Sequence, residues 1–156
     1  MFSSSPDLQE FLLIEAACRR LTLVYARGID LYDDDMVLAA FARDGIWNRP
    51  GNPPLRGHPE IAEFLKSRDR AILMRHVMSN FQLELLGASR AKGVSYWTAF
   101  VAENHVPGTT AKPSAPFSVG EYEDEYMRED GDWKIARRTM RYIFRGSSTA
   151  SSSAPR

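Results

Sequence analysis

The sequence predicts an α+β domain: a curved antiparallel sheet wrapped around a long N-terminal helix plus two shorter helices, leaving a cone open at one end. Three observations predict it. Helical patterns come first, within residues 5–65; long alternating apolar and polar runs follow from residue 75; and Asp130-Gly131 sits between the last two runs as a hairpin signal. A chain of 156 residues fits one such domain and is long enough to bury a sizeable core. Residues 1–145 are assigned to it, and the Ser-rich tail at 146–156 is expected to be disordered.

Residues 1–5 read as a frayed lead. Ser5-Pro6-Asp7 reads as a helix start, with a serine cap, proline at the first helical position, and Asp7 and Glu10 in the positive first turn. Ile14, Ala17 or Cys18, Leu21 and Tyr25 then share one apolar stripe. Gly28 weakens this helix near its end, so Asp30 need not follow the wheel that sets Tyr25. Asp33-Asp34-Asp35 caps a second helix, Met36 to Ala42. Asp44-Gly45 reads as a turn, Ile46 to Arg49 as a short strand, and Pro50 to Pro54 as an irregular loop. Gly57-His58-Pro59-Glu60 opens a third helix with Ile61, Phe64 and Leu65 on one face.

A long strand is predicted from Arg75 to Leu86, with His76, Met78 and Asn80 on one side and Val77, Phe81, Leu83 and Leu85 on the other. The run from Val94 to His105 carries Trp97, Ala99, Val101, Glu103 and His105 on one face. Val106 to Pro116, rich in Pro, Gly and Thr, reads as a loop at a pocket mouth. Phe117 to Glu129 and Asp132 to Phe144 form the closing hairpin.

Composition excludes several function classes. Twenty acids balance twenty bases, so no global field recruits nucleic acid or anionic membrane. The short cluster Arg137-Arg138-Thr139-Met140-Arg141 lacks the interleaved aromatics of a single-strand groove. Cys18 is the sole cysteine, which rules out an internal disulfide; on its apolar stripe it reads as a core residue. His58, His76 and His105 are scattered without tight carboxylate spacing, so no metal and no cofactor is expected. The N-terminus lacks a basic region followed by an apolar run, and no stretch approaches a membrane span, so a cytoplasmic protein is expected.

The order of motifs carries a resemblance. Tyr25 is followed by Asp30, then by Phe-x-x-Asp-Gly-x-Trp (Phe41 to Trp47), a helix opened by Gly57, Arg-His-x-x-x-Asn (Arg75 to Asn80), and Tyr-x-Asp-x-Tyr with Asp-Gly-x-Trp-Lys-Ile-x-x-Arg (Tyr122 to Arg138). Over residues 8–145 this resembles the SnoaL-like branch of the nuclear transport factor 2-like superfamily. The resemblance implies a cystatin-like α+β roll. It is specific for fold rather than activity, since lyases, isomerases, cyclases and non-catalytic subunits share that fold.

Among catalytic members the pattern is most similar to hexachlorocyclohexane dehydrochlorinase, bile-acid 7α-dehydratase and scytalone dehydratase, which use a His–Asp pair. The resemblance then implies that His76 is the base, Asp30 its orienting carboxylate, Tyr25 a proton donor and Arg138 a stabiliser of developing negative charge. Trp47, Trp97, Ala99, Gly120 and Tyr122 fall where its pocket walls are expected. Met78, Val101 and Met140 complete the expected apolar lining, Val101 standing near the second histidine of scytalone dehydratase. His105 lies further along that face.

From spacing alone, His76 reads equally as a polar residue at a strand start and Asp30 as a helix-end turn residue. Two function classes stay open. One is a cofactor-independent lyase, of dehydratase or dehydrohalogenase type, acting on a hydrophobic small molecule, with isomerase or polyketide cyclase chemistry as its neighbour. The other is a non-catalytic binding or assembly module, like the small subunit of ring-hydroxylating dioxygenases. A homo-oligomer, dimer or trimer, is expected through an outer sheet face bearing Phe81, Leu83 and Leu85.

Overall fold

The computed structural model describes residues 7–113 and 117–145; the Ser5-Pro6 start and the tail at 146–156 lie outside the described residues. Helix α1 (Leu8–Leu31) is capped by Asp7, whose carboxylate accepts from the Glu10 N–H at 2.7 Å. Ile14, Cys18, Thr22, Tyr25, Ala26 and Ile29 form its buried stripe. The helix does not falter at Gly28. It continues to Leu31 and stops at Tyr32, whose left-handed backbone (φ 57°) returns its N–H to the Gly28 and Ile29 carbonyls. Gly28 serves a different purpose: a Cβ there would meet Val37 Cγ2 at 2.7 Å, so its absence lets the next helix pack close.

That helix, α2 (Asp34–Ala40), is capped by Asp33 and ends two residues earlier than expected. Strand β1 (Phe41–Asn48) takes over directly and runs through Asp44-Gly45, which forms an irregularity within the strand rather than a turn. After the two-residue β2 (Leu55–Arg56), α3 (Gly57–Ser67) buries Ile61 and Leu65 as the sequence requires.

Four long strands follow: β3 (Leu73–Gly87), β4 (Arg90–Ala102), β5 (Ser118–Glu129) and β6 (Asp132–Arg145). The six strands form one sheet in the order β2-β1-β6-β5-β4-β3, with β1 parallel to β6 and every other neighbour antiparallel. Asp130 and Gly131 both take positive φ (52° and 90°), the geometry of a tight hairpin turn. The curved sheet stays open and encloses α1, giving the cone.

One bulge changes which residues face inward. On β3, Asn80 and Phe81 stand against the single β4 residue Ser95, and Asn80 is left-handed (φ 52°). The extra residue switches the alternation: Met74, His76 and Met78 face the core before it, and Phe81, Leu83 and Leu85 face the core after it. Phe81, Leu83 and Leu85 are therefore not the outer apolar face expected of them. Large exposed apolar residues on β3, β4 and β6 are instead Val77, Leu86, Tyr96, Phe100, Ile143 and Phe144. Strand β4 ends at Ala102, so Glu103 and His105 fall beyond the ladder that carries Trp97, Ala99 and Val101.

Gly28→Ala should destabilise the protein by about 1–3 kcal/mol in urea unfolding, because overpacking against Val37 outweighs the gain in helix propensity. An unchanged or raised midpoint would mean that α1 and α2 are not held at this distance.

Candidate active site

Strand β3 is the sheet edge, so alternate backbone N–H groups have no strand partner. Asp30, in the last turn of α1, takes the one on His76: its Oδ2 accepts from the His76 backbone N–H at 2.9 Å. Its Oδ1 accepts from the His76 ring at Nδ1, 2.6 Å away. One carboxylate thus holds one residue at two points. Both side chains are about 10% exposed. With the proton held on Nδ1 by Asp30, the imidazole presents Nε2 as its free lone pair.

The approach of α1 to β3 is fixed by its own bracket. The Tyr32 hydroxyl lies against the Asp69 and Ile72 carbonyls, Arg68 stacks on the Tyr32 ring at 4.5 Å, and Arg68 Nη1 donates to the Ile29 carbonyl at 3.0 Å. The end of the helix and the start of the strand are tied together on either side of the dyad.

His76 lines a cavity of about 320 Å³ at the open end of the cone, with Tyr25, Trp47, Trp97, Ala99, Val101, Tyr122 and Met140 among its walls. Asp30 sits behind His76 and does not itself line the space. Trp97 meets the imidazole at 6.3 Å between ring centres. Gly120 is not on the wall: it lies under the Trp97 ring, where a Cβ would collide with the indole and with the Arg141 carbonyl. Met78 lines a separate small cavity with Thr22 and Phe81, the bulge having begun just beyond it.

Arg138 points inward, as expected, yet it stands one layer behind the wall and is fully buried. Its Nε and Nη2 donate to the two Asp124 oxygens at 2.8 and 2.7 Å, and Nη2 also reaches Thr22 Oγ1 at 3.2 Å. The guanidinium lies 4.2 Å from the centres of both the Tyr25 and Tyr122 rings. Arg138, given by the resemblance as a stabiliser of developing negative charge, therefore does not itself line the cavity. A cation this deep requires an anion, and Asp124 supplies it. Burial alone would lower the Arg138 pKa; Asp124 more than reverses that and holds the charge in place.

Sequence reasoning missed several wall residues that its own periodicity reaches. Met74 precedes His76 by two positions, Arg49 follows Trp47 by two, and Tyr142 follows Met140 by two; all three line the cavity. Arg68 and Arg145 line it as well. Arg49 lies over the Phe64 ring at 3.9 Å, and its Nε is buried without a hydrogen-bond partner. Burial lowers its pKa. Among the described residues no group of three His, Cys, Asp or Glu side chains is arranged to hold a metal ion, and no helix is long and apolar enough to cross a membrane.

A SnoaL-like domain model matches residues 10–139. The chain belongs to the SnoaL-like domain family. Its fold is also that of hexachlorocyclohexane dehydrochlorinase LinA-type3 from Novosphingobium barchaimii LL02, at TM-score 0.74 and 20% identity over 95% of this chain and 99% of that one. A candidate scytalone dehydratase from Novosphingobium aromaticivorans DSM 12444 gives TM-score 0.68 at 21% identity, covering 85% and 86% of the two chains. A Mycobacterium tuberculosis protein of unknown function gives TM-score 0.73 at 24% identity, covering 90% and 78%. A search of curated proteins finds no match to this SnoaL-like chain. At these identities the structural likenesses establish the fold alone.

The buried phenols make a pH prediction. Burial pushes the Tyr25 pKa up to about 12, with Arg138 and the hydrogen bond to Tyr122 pulling against it. Burial likewise holds Tyr122 and Tyr126 well above the usual value. Their folded values exceed the unfolded value of about 10, so the stability they contribute is complete below pH 10 and is lost as pH rises through the folded values. Alkaline unfolding followed by circular dichroism should run together with the tyrosinate absorbance of these three residues. Their ionisation with the native spectrum intact would contradict this.

Proposed function

We propose that this protein is a cofactor-independent lyase that eliminates water or halide from a hydrophobic small molecule, with His76 as general base. The observation that carries the reading is the 2.6 Å contact between His76 Nδ1 and Asp30 at the wall of an aromatic-lined cavity. In this reading His76 Nε2 removes a proton from a C–H next to an electron-withdrawing group. The C–H electron pair becomes the new double bond as the leaving group departs from the adjacent carbon. Asp30 stabilises the imidazolium that results and keeps the ring in register, without itself taking the proton.

Tyr25 is the group for the departing oxygen. It lines the same cavity, and burial keeps its phenol neutral and proton-bearing across the physiological range. Arg138, behind Tyr25 and Tyr122, acts through them: a fixed positive charge at 4.2 Å favours electron density building on either hydroxyl. The apolar walls exclude water, which strengthens each of these interactions and protects the carbanion-like transition state. Membership of the SnoaL-like family and the fold shared with a dehydrochlorinase fit this chemistry. An isomerase or cyclase would use the same base but return the proton elsewhere, releasing nothing.

The test is a panel of β-hydroxy and β-chloro ketones on apolar rings, assayed for release of water or chloride. His76→Ala should lower turnover about a hundred- to ten-thousandfold, and Asp30→Asn should lower it too through loss of the fixed tautomer. Substrate deuterated at the abstracted position should react more slowly. Elimination that survives His76→Ala unchanged would refute the base assignment, and conversion without a released group would favour the isomerase.

A further inference from the structure

The cavity wall carries a charge imbalance that the dyad does not explain. Arg49, Arg68 and Arg145 line it, and among the described residues no aspartate or glutamate does. Arg68 has a counter-charge of its own in Asp34, 3.4 Å away. Arg145 lies 3.9 Å from the centre of the Tyr142 ring and has no ion pair among the described residues. Arg49 is the telling one. Its guanidinium is stacked 3.9 Å from the centre of Phe64 and 5.6 Å from that of Trp47, its buried Nε has no acceptor, and it too has no ion pair among the described residues.

Stacking satisfies the face of a guanidinium and leaves its edge, where the N–H donors lie, for an acceptor. Buried donors without acceptors are uncommon in folded proteins, and a partly desolvated cation without an anion is costly. Three arginines without a facing acid, on a wall made largely of aromatic and aliphatic side chains, match an anionic ligand with an apolar body. The planar fork of arginine matches a planar carboxylate, and the aromatic walls match a ring.

Resting on the reading of this cavity as the lyase pocket, we infer that its substrate is an apolar ring compound bearing a carboxylate, which Arg49 binds while Arg68 and Arg145 add positive potential. The carboxylate completes the hydrogen bonding of Arg49, and the ring lies against Trp47 and Trp97. Neutral analogues of the same shape lose that pairing and leave the guanidinium as it is in the free protein.

The probes are 2-naphthoate and its neutral isostere 2-naphthamide, titrated into the full chain with tryptophan fluorescence as the readout. The naphthoate should bind about tenfold tighter than the amide or better, as expected of hydrogen bonds to a charged partner. Arg49→Gln should bring the acid down toward the amide, Arg49→Lys, which keeps the charge but loses the fork, should fall between the two, and Arg145→Gln, at an exposed position, should reduce the preference by a smaller factor. Circular dichroism checks that each variant is folded, and Arg145→Gln carries the test if Arg49→Gln is not. The preference is read from binding without turnover, so failure of the lyase reading and failure of this inference are distinguishable. Equal affinity for acid and amide, no binding of the acid, or a preference indifferent to the arginine substitutions overturns it.

Discussion

Two hydrogen bonds from one histidine to one carboxylate are the constraint around which this molecule is arranged. Asp30 can make both only if the last turn of α1 meets the edge of the sheet at β3, since an interior strand has no free N–H to offer. The features nearby serve that meeting. Tyr32 stops the helix in a left-handed turn and lays its hydroxyl against the segment that leads into β3. Arg68 grips the helix end from the other side through the Ile29 carbonyl. A base held this way spends no conformational entropy on orientation when a substrate arrives.

Behind the dyad stands a second, drier layer. Arg138 and Asp124 form a fully buried bidentate pair, with Thr22 accepting from Arg138 Nη2 and the Tyr126 hydroxyl donating to Asp124. Such a pair is weak evidence for stability, because desolvating both ions offsets much of their attraction. Its geometry is better understood as positional. The guanidinium supports Tyr25 and Tyr122 from below, and those rings meet each other, Phe41, Trp47 and Trp97 edge-on or tilted to make the floor of the cavity. The charge also biases the phenols from a side that no ligand occupies.

Much of this was legible in the sequence, and the rest was hidden for identifiable reasons. Helical spacing revealed the α1 stripe, and Asp130-Gly131 revealed the final hairpin, because both are local signals. The dyad joins residues forty-six positions apart; spacing offered only two polar residues, and the family resemblance supplied the pairing. The bulges were not legible. Asn80 switches β3 so that Phe81, Leu83 and Leu85 turn inward, and nothing in an alternating pattern marks where a strand takes an extra residue. A second shift on β6 matters as much: counted back from the hairpin turn, Asp124 would face Arg137, but the irregularity between Tyr126 and Glu125 sets it opposite Arg138. Arg49 escaped notice because it ends a short strand just before a Pro-rich loop, where a charge reads as solvated.

The central claim is that Asp30 fixes the His76 imidazole with its proton on Nδ1 and its lone pair on Nε2. Nitrogen-15 NMR of the histidine ring in the free protein tests it most directly, at a pH where the ring is neutral. The account predicts the Nδ1–H tautomer for His76, converted to a mixture in Asp30→Asn. A free protein in which His76 carries its proton on Nε2, or samples both tautomers freely, would contradict it.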